Sequence, residues 1–246
     1  MTVTTSTRLR HVLELVMPPV WAANARLWNH PRLDVLYPRY LVCTHTVIRS
    51  SVPLMVAARD AARDDLRRRV ASGDQDTASS VSGQLATYLD RHIPEETGHD
   101  DWLLDDLARI GVPPQDALDH IPAPSVAGLV GAQYYYISHY RPVALLGYIG
   151  LLEGYPPTEE LARSAASRTG YPIDAFRTMR KHAHLDPHHR DDLDRCLDAM
   201  PLEPDDVTLI TTNAMATAER LAIMIDELAT EHPLTLVPGD KAVQCA

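Results

Sequence analysis

The hydrophobic period constrains the fold of this chain more than any other feature. Apolar residues recur every three to four positions along most of its length, as in "STRLRHVLELVM" and "ATAERLAIMIDELA", which lays them along one face of an α-helix. No stretch alternates Val, Ile or Thr with polar residues in the period of a strand, and no Asn-Gly pair marks a hairpin turn. The chain therefore has to bury helices against helices. With one Phe (Phe176) in 246 residues, Leu, Val, Ile, Met, Ala and ten Tyr must fill that core. The expected fold is an all-α bundle of seven to nine helices, forming one domain over residues 1–232, with a loose tail over 233–246.

Punctuation places the helices. A first short helix runs to the "PP" at 18–19, and residues 23–37 read as irregular with at most one helical turn. The stretch 38–72 is helical with a kink or break at Pro53. "GDQDTASS" is a turn or a helix start. Residues 82–111 read as one long helix, or two joined near Pro94, ending at Gly111. The stretch 124–153 is strongly apolar and broken at Pro142. "PPTEELARSAASRTG" carries a Pro start, early acids and a Gly end, the marks of a short helix. Two further helices follow, over 172–200 and 203–232.

Charge and cysteines exclude several functions. A formal net charge of −10 argues against nucleic-acid binding, which needs a basic surface. Cys43, Cys196 and Cys245 are odd in number and far apart, so neither a disulfide framework nor a CxxC site is indicated. The N-terminal stretch lacks a small-residue cleavage site, and no apolar run approaches the ~20 residues of a membrane span. A soluble, cytoplasmic protein that does not engage membranes is expected.

The candidate chemistry lies in a pattern that occurs twice: His, three residues, a carboxylate, two residues, His. It is His92, Glu96 and His99 in "HIPEETGH", and His182, Asp186 and His189 in "HAHLDPHH". On one helix, positions i, i+4 and i+7 fall within about 60° of each other, so each triad points at one place. Imidazole and carboxylate together suit iron, manganese or zinc. A single triplet is more often structural or a surface feature; two on separate helices favour a metal site. Pro94 and Pro187 lie inside the triads and predict bends there. His184 and His188 fall off the second face and read as exposed, and Glu95 is a weaker ligand candidate. Glu153, the only acid of its apolar stretch, is either a helix end facing water or a buried ligand. Tyr135 and His139, within "QYYYISHY", are candidates for a substrate pocket, His139 because it lies fourteen residues before Glu153 on nearly the same face. Gly131, Ala132, Gly147 and Gly150 suit a pocket for a modest molecule. Arg141 is a weaker candidate to grip a carboxylate.

"EETGHDDWLLDDL", "ALLGYIGLLE" and "HAHLDPHH" together resemble the heme-oxygenase-like diiron oxidases and oxygenases, iron-containing redox enzymes related to TenA and PqqC proteins. The resemblance spans roughly residues 40–230 and implies a single heme-oxygenase-like helical bundle. It implies Glu96, His99, Glu153, His182, Asp186 and His189 as ligands of two ferrous ions, Fe(2+). His92 is nominated by the internal repeat and not by the family. Many members add an earlier carboxylate, where this chain offers only Asp60 and Asp64. The implied activity is non-heme, O2-dependent oxidation of a small amine, amino acid or similar substrate, in specialised metabolism. A homodimer is suggested by the resemblance alone. The alternatives are a metal-free TenA-like hydrolase using Cys43 or Cys196, a heme protein with His11 or His45 as axial ligand, a zinc hydrolase and a non-enzymatic helical binding module.

Overall fold

The computed structural model describes residues 3–74 and 76–230. They form eleven α-helices and two short 3-10 turns, with no strand among the described residues. The helices are α1 (Thr5–Val16), α2 (Pro18–Trp28), α3 (Leu33–Ala71), α4 (Val81–Glu96), α5 (His99–Arg109), α6 (Pro114–Leu118), α7 (Pro124–His139), α8 (Leu145–Leu152), α9 (Glu159–Thr169), α10 (Arg177–Ala199) and α11 (Pro204–Ala229). The all-α expectation holds. The helix number is higher than expected for identifiable reasons, and the tail expected beyond residue 232 lies outside the described residues.

The "PP" at 18–19 starts a helix as well as ending one. Pro18 occupies the first position of α2, where its missing N–H would have had no partner in any case. Residues 23–37 are accordingly helical at both ends, a correction to the irregular reading. α3 runs unbroken through Pro38 and Pro53, so the expected break at Pro53 is absent. It is also long and apolar enough to cross a membrane by composition, which corrects the reading of the apolar runs. Half of that window is buried against neighbouring protein, as in a core helix. α9 begins and ends as its signals foretold: Thr158 accepts from the Leu161 amide, and Gly170 closes the helix at φ 73°.

Buried apolar residues from Leu9 to Ala229 make one contiguous cluster. α11 and α8 approach so closely that a Cβ on Gly147 would lie 2.2 Å from the Ile210 carbonyl oxygen. Gly147 thus serves helix packing and does not line a pocket. Polar ties then fix the helices that matter most below. From α1, Ser6 donates to Asp198 on α10 through both its amide and its hydroxyl, each at 2.8 Å. Arg10 bridges two elements, reaching Asp194 on α10 at 2.7 Å and the Gly150 carbonyl on α8 at 2.8 Å. Asp106 on α5 accepts the first amides of α10, Arg177 at 3.1 Å and Thr178 at 3.0 Å.

Candidate metal centre

The two triads meet, but on different backbones. The second lies on the uninterrupted α10, which continues through Pro187. The first is divided. α4 ends at Glu96, and α5 begins at His99 after Gly98, whose φ of 87° suits glycine alone. The break is therefore at Gly98 and not at Pro94, and His92, Glu96 and His99 do not share one helical face.

The triads pair crosswise. The His92 ring meets His189 edge-on at 4.9 Å between centroids, and the His99 ring meets His182 edge-on at 5.1 Å. Glu153, one residue beyond α8, reaches in from the side, its Oε1 lying 2.9 Å from His92 Nε2. Two groups of candidate ligand atoms result, each within 4.8 Å of one another. One comprises His92, Glu96, Glu153 and His189; the other comprises Glu96, His99 and His182. Glu96 belongs to both. Asp186 is buried beside them without joining either group.

This arrangement leaves lone pairs unused. Glu96 Oε2 lies 3.1 Å from His99 Nδ1, and Glu96 Oε1 lies 3.2 Å from His189 Nδ1. Yet Glu96 Oε1, His99 Nδ1, His189 Nδ1, Glu153 Oε2 and Asp186 Oδ1 are all buried without a hydrogen-bond partner. Each such group costs about 1–3 kcal/mol. Five converging in one place are poorly accounted for by packing and well accounted for by a cation that takes imidazole and carboxylate donors. The histidine tautomers agree. His182 Nδ1–H donates to the Thr178 carbonyl at 2.9 Å, which leaves Nε2 with its lone pair for a metal.

Burial and neighbouring charges set the protonation preferences of the cluster. Burial lowers His182 and His189, keeping both rings neutral. Burial would lower His92 as well, but the hydrogen bond and charge of Glu153 outweigh it and raise His92 to about 9. Burial raises Glu153. Burial, with the charges of Glu153 and Glu96, pushes Asp186 up to about 8. Glu96 is held below its ordinary range, the nearby His99 overcoming the effect of burial.

Other sequence expectations resolve as follows. His184 and His188 are exposed. Glu95 is half-exposed at the rim, 3.3 Å from His92 Nδ1 and 3.9 Å from His189 Nε2. Asp60 and Asp64 pair with Arg59 and Arg67 on an exposed face of α3 and stay outside the cluster. Tyr135 and His139 are corrected: both are exposed and stack on each other, because α7 ends at His139 and the chain turns before α8. Arg141 donates to Asp206 and lies away from the cluster, outside the cavity that opens from it. Two supporting residues went unread in the sequence. Tyr88 stacks on His92 at 5.2 Å, and Trp102 stacks on His99 at 4.0 Å. Their signal was an aromatic residue one helical turn from each histidine.

A cavity of about 230 Å³ opens from the cluster, reached by Glu96, Glu153, His182 and Asp186, and is otherwise walled mainly by apolar side chains of α3, α8 and α11. Neither described cysteine is an activated nucleophile. Burial pushes Cys43 up to about 11 and Cys196 up to about 12.

Residues 76–228, more than half of the chain, match the family model described as iron-containing redox enzyme. No curated protein matches the sequence. Among solved structures, the chain is similar to a domain of unknown function with a heme oxygenase-like fold from Shewanella denitrificans, at TM-score 0.70 and 18% identity, covering 96% of this chain and 93% of that one. It is similar to a TenA homolog from Pseudomonas syringae pv. tomato, at 0.64 and 12%, covering 88% and 92%. A CADD-like protein of unknown function from Nostoc punctiforme aligns at 0.61 and 16%, covering 92% and 97%. At these identities the likeness establishes the fold, which is heme-oxygenase-like.

Proposed function

Since the chain belongs to the iron-containing redox enzymes, we propose that His92, Glu96, His99, Glu153, His182, Asp186 and His189 hold two non-heme ferrous ions, and that the protein uses O2 to oxidise a small substrate. One observation carries this reading: two groups of donor atoms share Glu96, with five buried lone pairs left unpartnered around it. A carboxylate with one oxygen toward each group is what a paired site needs from its central ligand.

When bound, the iron supplies the redox chemistry that makes O2 reactive. The protein's own residues prepare for it. His182, fixed by the Thr178 carbonyl, presents Nε2 without rearrangement. His92 and Glu153 hold a proton between them that binding displaces, so loading releases protons. Tyr88 and Trp102 stack on the rings of His92 and His99 and limit their rotation. Asp186 lies where the cavity meets the cluster, buried beside the two groups as a further donor.

The test is anaerobic titration of metal-free protein with ferrous iron, then exposure to O2 with optical and Mössbauer spectroscopy. Two irons per chain, and a coupled ferric signal that Glu96→Ala abolishes, are expected. Protein that binds no stoichiometric iron, or binds zinc and ignores O2, would sink the proposal. The metal-free TenA-like alternative requires an activated thiol, which the described cysteines do not provide.

A further inference from the structure

The cavity beside the cluster restricts what can reach it. Its charged lining groups are Glu96, Glu153, His182 and Asp186, all at one end. Beyond them the wall includes Leu41, Val47, Leu54, Ile149, Met224 and Ile225, and among the described residues no Lys or Arg lines it. A charge carried into that part would be buried without a partner, which is costly. The amide of Asn24, at the rim, is already engaged: it donates to the Val20 carbonyl and accepts from Trp28. Two hydroxyls of the wall, those of Tyr148 and Thr178, are buried with no hydrogen-bond partner. Tyr148 is 2% exposed. It lies on α8, the helix that leads into Glu153. At about 230 Å³, the space is smaller than the ~300–1,000 Å³ of drug-sized sites.

We propose that the cavity binds a small lipophilic molecule with one hydrogen-bonding head group, the head lying between Tyr148 and the cluster and the uncharged tail among the residues of α3, α8 and α11. The proposal rests on the reading of the cluster as the reaction centre, and it narrows the substrate class. Molecules charged at their far end, such as diamines and amino acids with ionised side chains, are excluded because the tail region offers no counter-charge. The Tyr148 hydroxyl donates to or accepts from either an amine or an alcohol head group.

The test compares n-alkylamines, from butylamine to decylamine, with α,ω-diamines of the same lengths, by calorimetry on the full chain as purified. Affinity is expected to rise about fourfold per added CH2 until the cavity is filled. 1,8-Diaminooctane is expected to bind about tenfold or more weakly than octylamine, against the pull of a chain of net charge −10. Ile149→Trp, which fills the cavity, is expected to remove the length dependence, and Tyr148→Phe to weaken every member several-fold. A flat series, or a diamine that binds as well as its monoamine, overturns the proposal without reliance on any variant. Iron content of the same sample is measured separately, so failure of the metal reading and failure of the substrate class are told apart.

Discussion

The α4–α5 segment and α10 carry the same triad spacing on opposite backbone solutions. α10 keeps one unbroken run through Pro187; the other segment ends at Glu96, turns at Gly98 and restarts at His99. Helical geometry therefore describes the second triad and misdescribes the first. The turn brings His99 to His182 while His92 stays with His189. The two subsites are consequently unequal. The His92 side has four candidate donors because Glu153 joins it, and the His99 side has three. The repeated spacing picked out residues that the fold brings close together, and the break between them decides how they are grouped.

This inequality is open to test. The largest effect is expected from Glu96→Ala, which removes the donor common to both groups; iron stoichiometry by anaerobic titration should fall from two to near zero. Next, His182→Ala and His92→Ala should separate the subsites. H182A is expected to lose the three-donor position and retain about one iron, whereas H92A should weaken the four-donor position, where Glu153 and His189 remain. Loss of both ions in both variants would show that the subsites fill only together. Gly98→Ala should cost about 1–2 kcal/mol, because alanine resists the left-handed conformation. No neighbour blocks the added carbon, its nearest contact being 3.8 Å away, so the strain lies in the backbone. A melting temperature lower by about 2–4 °C per kcal/mol is expected, with the three-donor position weakened more than the four-donor one.

The smallest effect concerns pH. Burial raises Asp106 to about 6, against the amides of α10 that it accepts. A carboxyl raised on folding adds stability that is complete below its ordinary pKa of 3.8 and is lost as pH climbs through about 6. Urea midpoints of metal-free protein between pH 3.5 and 7.5 should contain a declining component over that window, which Asp106→Asn removes.

Helix content was legible wherever the period was regular and the ends were marked, as at α9. It failed at α2 because a Pro-Pro pair stops one helix and starts another, and sequence spacing alone does not distinguish the two roles. The candidate ligands were legible as residue types at spacings, and the structure gathers them at one place. Their crossed pairing was not, since it depends on the orientation of α10 against α4 and α5. Tyr135 and His139 lie away from the cluster because the turn after His139 breaks the helical phase between them and Glu153. The cavity wall was illegible for a different reason: its residues come from helices remote in sequence and look like ordinary core.

Arg10 lies upstream of the family match at 76–228, yet it joins the strand of chain leading to Glu153 with the helix that carries His182 and His189. The separation of donors from α8 and α10 is thus set partly by a guanidinium far from any of them. A fragment trimmed to the family-matched region would keep every candidate ligand and lose the gauge that spaces them, so the functional unit is longer than the stretch by which kinship is recognised.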